Sequence, residues 1–113
     1  MKTVNIQGKE YVTVNERIKY LREKFTGYSM TSEITHINEN GVIIRASIKN
    51  ENGQEVASGY AHEKQGSSFI NKTSFIENCE TSAWGRALAN FGIGVDSSVA
   101  SADEVANAIK QQK

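Results

Sequence analysis

One long apolar segment, from Ser74 to Gly94, constrains the fold of this chain more than any other part of the sequence. Ser74 is followed three residues later by Glu77, a capping box in which the hydroxyl and the carboxylate each satisfy a backbone N–H at a helix start. Gly92 and Gly94 supply the stop, because glycine readily takes the positive φ that closes a last helical turn. Apolar side chains recur between these signals at three- and four-residue steps, which predicts a core helix.

Small side chains on this predicted helix allow another element to approach its axis closely. Gly85 costs about 1 kcal/mol relative to alanine inside a helix, so it indicates a close-packing or ligand-approach position. Arg86 is the only basic side chain of the segment and is either a solvated arginine or a ligand contact. We expect a sheet to approach this helix. The small residues are Ser82, Ala83, Gly85, Ala87 and Ala89.

From Tyr28 onward the hydrophobic period changes to two, which is typical of strands. Two Asn-Glu-Asn-Gly segments, at 38–41 and 50–53, predict tight turns because Asn and Gly tolerate positive φ. The sequence therefore predicts three antiparallel strands joined as a meander, of which the middle one, Val42 to Lys49, shows the clearest alternation.

The third strand, Gln54 to Glu63, has one face of small side chains and one face of larger ones. If the small face lies against the core helix, then Tyr60 stands on the opposite face, where Arg45 and Lys49 also lie. The reverse assignment, with Tyr60 in the core, is nearly as well supported by the pattern. The small face holds Ala57, Gly59 and Ala61, and the other face holds Val56, Ser58, Tyr60 and His62.

The flanking segments complete an α+β fold. A short hairpin spans residues 2–12, and a capping box of Thr13 and Glu16 starts a helix that runs to about Phe25. Ser101 and Glu104 form a third capping box, which begins a short amphipathic helix. We predict an N-terminal hairpin and helix, a three-stranded antiparallel β-meander packed by a long helix (a βββα core), and a short C-terminal helix.

Length and composition predict one soluble domain. The 113 residues fit a single domain over 1–113, with its core at about 13–94 and its tail helix at about 101–110. Hydrophobic content is 38%, and no segment reaches the roughly 20 apolar residues of a membrane span or has the character of a signal peptide. The single cysteine, Cys79, lies on the apolar helix face, as expected for a buried thiol in a reducing cytoplasm. The small core favours a homo-oligomer.

The sequence lacks the motifs of the common catalytic classes. His36, His62 and Cys79 lie on different predicted elements, so no zinc site is expected. There is no Walker loop, no GxGxxG and no nucleophile motif, and we therefore predict no catalytic residue, no metal and no cofactor. Thirteen basic and thirteen acidic side chains leave no net charge, so any contact with nucleic acid must use a local basic patch.

Three segments resemble the single-strand annealing proteins of DNA recombination, the superfamily of the phage Erf and Sak proteins and the eukaryotic Rad-fifty-two mediator. They are ERIKYLREKFTGY at 16–28, VASGY at 56–60 and GRALANFG at 85–92. The resemblance implies rings or filaments that hold single-stranded DNA in a groove between sheet and helix, with Arg86 on the phosphate backbone. Gly85 and Ala89 stand where that family often has further basic residues, which implies a weaker contact per subunit.

These expectations define a candidate site and function. We predict non-catalytic binding and annealing of single-stranded DNA by a homo-oligomer in phage-type recombination or replication, in the host cytoplasm. An accessory subunit that binds other recombination proteins, and a strand-protecting single-strand binder, are the alternatives. Single-strand binding needs cations for the backbone and aromatic rings for the bases. The candidate residues are Arg86, Lys72, Lys64, Arg45, Lys49 and Tyr60.

Overall fold

A computed structural model of the chain describes residues 1–64, 69–96 and 98–111, with the side chains of 69–73 left undescribed. Within these ranges the fold is α+β, as predicted: a two-stranded hairpin, then a helix, a three-stranded antiparallel sheet in the order β3-β4-β5, and two further helices. The elements are β1 (Thr3–Ile6), β2 (Lys9–Val12), α1 (Val14–Lys24), β3 (Ser29–Asn38), β4 (Gly41–Lys49), β5 (Glu55–Lys64), α2 (Phe69–Phe91) and α3 (Ala102–Gln111).

The core lies between one face of the sheet and helix α2. Alternate residues of the central strand β4 are almost fully buried on this face, which we call the inner face. They meet small and apolar side chains of α2, and Leu21 of α1 joins the same cluster. The core is therefore the helix-on-sheet layer that the alternation of β4 and the stripe of α2 predict. The inner-face residues of β4 are Val42, Ile44, Ala46 and Ile48, and those of α2 include Cys79, Ala83, Ala87 and Leu88.

Gly59 decides which face of β5 meets the helix. A Cβ atom at this position would lie 2.5 Å from the backbone nitrogen of Ala87, so α2 packs directly on the main chain of β5. The small residues of β5 therefore face the helix, while Tyr60 is exposed on the opposite face, which we call the outer face. This resolves the two assignments that the sequence leaves open in favour of the first.

The ends of α2 follow the predicted signals in part. The C-terminus is a Schellman motif, in which Ile93 N donates to Leu88 O and Gly92 N donates to Ala89 O. Gly92 has φ +102°, the left-handed conformation that the stop requires. The predicted start at Ser74 is wrong, because α2 already begins at Phe69, but Ser74 has non-helical angles and marks a kink between two helical segments.

Hydrogen bonds from a buried arginine hold the segment after α2 in place. Arg17 of α1 is completely buried, and its guanidinium donates to the carbonyls of Gly85, Gly94, Ser98 and Val99 at 2.9 to 3.2 Å. Val14 of α1 also lies 3.0 Å from an ideal Cβ at Gly85, which confirms the predicted close-packing role of this glycine. Arg17 thus joins α1, the middle of α2 and the approach to α3.

Helix α3 is joined to the rest of the chain by polar contacts. The Ser101 hydroxyl accepts from Glu104 N, which confirms the predicted capping box, and the Asp103 carboxylate accepts from Val14 N at the start of α1. Two amide side chains of α3, those of Asn107 and Gln111, donate to the Glu63 carboxylate of β5 at 2.9 Å. The hairpin β1-β2 contacts α3 in turn, on the helix side of the sheet.

Candidate functional site

The outer face of the sheet brings together part of the predicted site. β4 and β5 pair antiparallel, with Arg45 opposite Tyr60 and Ser47 opposite Ser58, so these four side chains occupy one patch. Tyr60 keeps 54% of its surface exposed. Strict alternation along two paired strands places them there, since residues two apart share a face. We call this group, together with Lys49 and Glu55 at the end of the same strand pair, the outer-face patch.

Arg45 lies at the centre of the outer-face patch and already forms hydrogen bonds with neighbouring side chains. Its guanidinium donates to Oε2 of Glu55 and to Oγ of Ser47, both at 2.6 Å, and its Cζ lies 5.8 Å from the centroid of the Tyr60 ring. The hydrogen bond to Glu55 raises the pKa of Arg45, and the hydrogen bond from Arg45 lowers the pKa of Glu55. The positive charge of Lys49 also lowers the pKa of Glu55, but by less than Arg45 does. An anionic ligand on this face would therefore compete with Glu55 for Arg45.

Arg86 lies at the β5 edge of the sheet, where it lines a small cleft of about 150 Å³ between β5, α2 and α3. Its Nε is 3.1 Å from Oε2 of Glu104 in α3, and its Nη1 donates to the carbonyl of Tyr60 at 3.1 Å. One turn later Asn90 donates to the carbonyl of Ser58 at 2.7 Å. Both side chains thereby satisfy edge carbonyls of β5 that have no strand partner among the described residues.

The structure does not provide the groove between sheet and helix that the resemblance implies. The main chains of α2 and β5 are in contact at Gly59, which leaves no space for a polynucleotide between them. Lys64 lies at the far end of β5, opposite Gly41, with its side chain exposed. The side chain of Lys72 lies outside the described residues. The predicted residues thus divide into the outer-face patch, Arg86 at the β5 edge, and the two lysines near the start of α2.

Sequence reasoning missed the two carboxylates that engage the predicted arginines. The sequence pattern indicates only a capping box for Glu104, which performs that role and also pairs with Arg86. Glu55 carried no motif at all. A signal for Glu55 was present in the strand pairing, because a short turn after Lys49 brings the start of β5 beside the end of β4. No local pattern could connect Glu104 to Arg86, since the two lie on helices whose packing is set by tertiary contacts.

Other parts of the described molecule offer less chemistry. A cleft of about 390 Å³ lies between the hairpin, α1 and the segment after α2, but its described lining contains Asp96 and Tyr20 and no lysine or arginine. Within the described ranges, no group of three histidine, cysteine or acidic side chains is arranged to hold a metal ion. No described helix combines the length and the hydrophobicity that crossing a membrane requires.

Comparison with known proteins identifies a family and corrects the resemblance drawn from short motifs. The family model described as Slr1353 N-terminal dsRNA-binding domain-like matches residues 18–91, which run from within α1 through β3, β4 and β5 to the last residue of α2. No curated protein and no solved structure matches the chain. The assignment to the Erf, Sak and Rad-fifty-two annealing superfamily is wrong, because the matching family is a different one. Since the match covers more than half of the sequence, the chain belongs to the Slr1353 N-terminal dsRNA-binding domain-like family.

Proposed function

We propose that this protein binds nucleic acid without catalysis and that double-stranded RNA is the form it prefers. The observation that carries the proposal is the family match over residues 18–91, whose description names a likeness to double-stranded-RNA-binding domains. The matched segment coincides with the helix, three strands and helix that build the core. The matched part is thus the folded framework itself and not a peripheral insertion.

The outer-face patch has the chemistry that an RNA duplex requires. An A-form helix presents a wide, shallow minor groove lined by 2′-hydroxyl groups and bordered by phosphates. The outer face of the sheet carries the hydroxyls of Ser58 and Tyr60 beside the cations Arg45 and Lys49. Hydroxyl groups can exchange hydrogen bonds with the 2′-OH, while the cations contact phosphate oxygens. Such contacts recognise duplex shape and carry little sequence information.

Charge balance predicts modest, salt-sensitive affinity. The chain has no net charge, so no long-range field attracts a polyanion. Arg45 is held by Glu55 at 2.6 Å, and a phosphate must take over that interaction. Each phosphate contact that forms contributes roughly 0.9 to the slope of log affinity against log salt for a duplex. We therefore expect a shallow slope that corresponds to only a few phosphate contacts.

Single-stranded DNA is a second candidate ligand, supported by one specific observation. The Tyr60 ring is exposed and has the Arg45 guanidinium 5.8 Å from its centroid, a pair on which an unpaired base can stack. Annealing of complementary strands would build on such binding. Base stacking on an aromatic side chain contributes roughly 1 to 3 kcal/mol, so Tyr60→Leu separates the two ligands. The substitution weakens single-strand binding strongly if bases stack there, and weakens duplex binding by no more than the loss of one hydroxyl.

The deciding experiment is fluorescence anisotropy with length-matched duplex RNA, duplex DNA and single-stranded DNA over a salt series. Our proposal predicts that duplex RNA binds most tightly and that the double variant Arg45→Ala, Lys49→Ala reduces the salt slope by about 2. Lys9→Ala is the matched control, because it removes an exposed cation from the hairpin on the other side of the sheet. The proposal would be refuted if the protein bound none of the three nucleic acids at low salt. Equal losses in the double variant and in the control would refute the assigned surface.

A further inference from the structure

The two edges of the three-stranded sheet differ in how they are covered. At the β5 edge, the carbonyls of Ser58 and Tyr60 accept from the side chains of Asn90 and Arg86. At the opposite edge, β3 pairs only with β4, and no backbone group of another described element bonds to its free side. Natural proteins commonly protect such edges with lysine, proline or a covering element. β3 contains none of the three residue types lysine, arginine and proline, although it is ten residues long.

The free edge also carries an apolar strip. Ile34 and Ile37 each expose 50% of their surface, although their strand partners Ile44 and Val42 are almost fully buried. Both isoleucines therefore face the same side of the sheet as the core. Helix α2 reaches β3 at Ser32, whose hydroxyl donates to the Glu80 carboxylate at 2.7 Å, and the two isoleucines lie farther along the strand. The inner face thus continues as apolar surface at Ile34 and Ile37, beyond the contacts of the described side chains of α2.

From these features we infer that β3 pairs antiparallel with β3 of a second copy of this chain, so that two three-stranded sheets join into one of six strands. A partner for a free edge needs a free edge of its own. The β5 edge of a second copy cannot pair with β3 at Ser58 and Tyr60, because the carbonyls of these residues already accept hydrogen bonds from Asn90 and Arg86. Within the three-stranded sheet, the edge that remains is β3, and pairing of identical edges gives a closed two-fold dimer.

One pairing register buries the two exposed isoleucines against each other and also avoids contacts between like charges. Placing Ile34 opposite Ile37 of the second copy creates, by symmetry, two identical isoleucine pairs on the inner face. The same register sets Glu33 opposite Asn38 of the second copy on the outer face, so no like charges meet. The register shift between Ile34 and His36 keeps Glu33, His36 and Asn38 on the outer face together. The strand is therefore complementary to itself across the proposed two-fold axis.

The oligomeric state tests the interface. Size-exclusion chromatography with light scattering is expected to give twice the monomer mass of 12.4 kDa, with dissociation on dilution. Ile37→Lys introduces a charge on the edge and is expected to shift the protein to a folded monomer, with folding checked by circular dichroism. Val4→Lys is the matched control, because it replaces another exposed aliphatic residue, on the hairpin, and it should leave the dimer intact. A wild-type monomer at the highest attainable concentration would overturn the inference, as would an assembly larger than a dimer.

Cysteine crosslinking tests the register and does not depend on a destabilising change. Directly opposed strand residues have Cα atoms about 4.5 to 5.5 Å apart, which suits a disulfide. A mixture of Ile34→Cys and Ile37→Cys proteins should therefore form a crosslinked dimer under mild oxidation. Either variant alone should not, since like positions are offset by three residues, about 10 Å along the strand. Efficient crosslinking of one variant by itself, or none in the mixture, would overturn this register.

Discussion

Arg86 of α2 and Glu104 of α3 form an ion pair, with Nε 3.1 Å from Oε2. The same arginine donates to the carbonyl of Tyr60, so it links α2, β5 and α3. Glu104 lies beyond the segment that matches the family, which ends at residue 91. Arg86, to which only the resemblance to annealing proteins gave a phosphate contact, is therefore held by an element outside the family core.

Replacing Glu104 with Gln tests whether this ion pair limits nucleic-acid binding. Glutamine preserves the capping box with Ser101 but removes the charge that Arg86 now faces. We expect tighter duplex binding and a salt slope steeper by about 1, because one more cation becomes available to phosphate. Anisotropy titrations measure both quantities. Glu16→Gln is the control, since it frees Lys19 on α1 instead, and equal gains in both variants would show that Arg86 has no special role.

Gly59→Ala should destabilise the fold through a steric conflict. The added Cβ would lie 2.5 Å from Ala87 N and 2.8 Å from Arg86 C, both of which are main-chain atoms of α2. Overpacking of this kind costs about 1 to 3 kcal/mol, and a backbone clash belongs at the upper end. Chemical denaturation measures the loss, with Ser58→Ala at the neighbouring outer-face position as the control. A change below about 0.5 kcal/mol would contradict the close helix–sheet contact.

Arg17→Met should cost more stability than any exposed arginine substitution. Methionine preserves much of the side-chain volume but leaves the carbonyls of Gly85, Gly94 and Val99 without their buried donor. One unsatisfied buried polar group costs about 1 to 3 kcal/mol, so we expect a loss of at least about 3 kcal/mol. Arg22→Met, on the exposed side of the same helix, should change the unfolding free energy by less than about 0.5 kcal/mol. Similar effects of the two variants would contradict the anchoring role of Arg17.

Cys79 should make stability fall at alkaline pH. Burial raises the pKa of this thiol from 9.0 to about 11 in the folded state. Between these values the unfolded chain releases the thiol proton while the folded chain retains it, so unfolding becomes easier as pH rises. The slope is about 1.4 kcal/mol per pH unit for one group. Other groups titrate in this range, so the measurement is the difference between wild type and Cys79→Ala in chemical denaturation at pH values from neutral to strongly alkaline. Parallel pH profiles of the two proteins would contradict the raised pKa.

Local sequence signals predict most of the fold, because turn residues and hydrophobic periodicity determine the conformation of single elements. The Asn-Gly turns, the alternation of β4 and the stripe of α2 each reflect a single element, and all were found near their predicted positions. The start of α2 differs from the prediction because Ser74 lies at a kink with non-helical angles, and a further helical segment precedes it. The face of β5 could not be decided from alternation alone. It depends on how closely α2 approaches Gly59, which is a property of the packed structure.

The candidate site was less predictable, because charges act between elements that are distant in sequence. Alternation correctly grouped Arg45 with Tyr60, since both follow from strand pairing. It could not show that Glu55 holds Arg45, or that Glu104 reaches Arg86 from α3. The short motifs at 56–60 and 85–92 pointed to the wrong family. Gly59 serves the close contact of α2 with β5 and Gly85 serves the contact of α2 with α1, packing requirements that unrelated helix-on-sheet proteins can share.

The most direct test of the account is a map of amide chemical shifts during titration with duplex RNA. If the RNA lies on the outer face, the largest changes should occur at Arg45, Ser47, Ser58 and Tyr60. The amides of α1 and of the hairpin, on the helix side of the sheet, should change little. Changes confined to α1 or the hairpin, or no changes at all at RNA concentrations that saturate the anisotropy signal, would contradict the assignment of the outer face as the nucleic-acid surface.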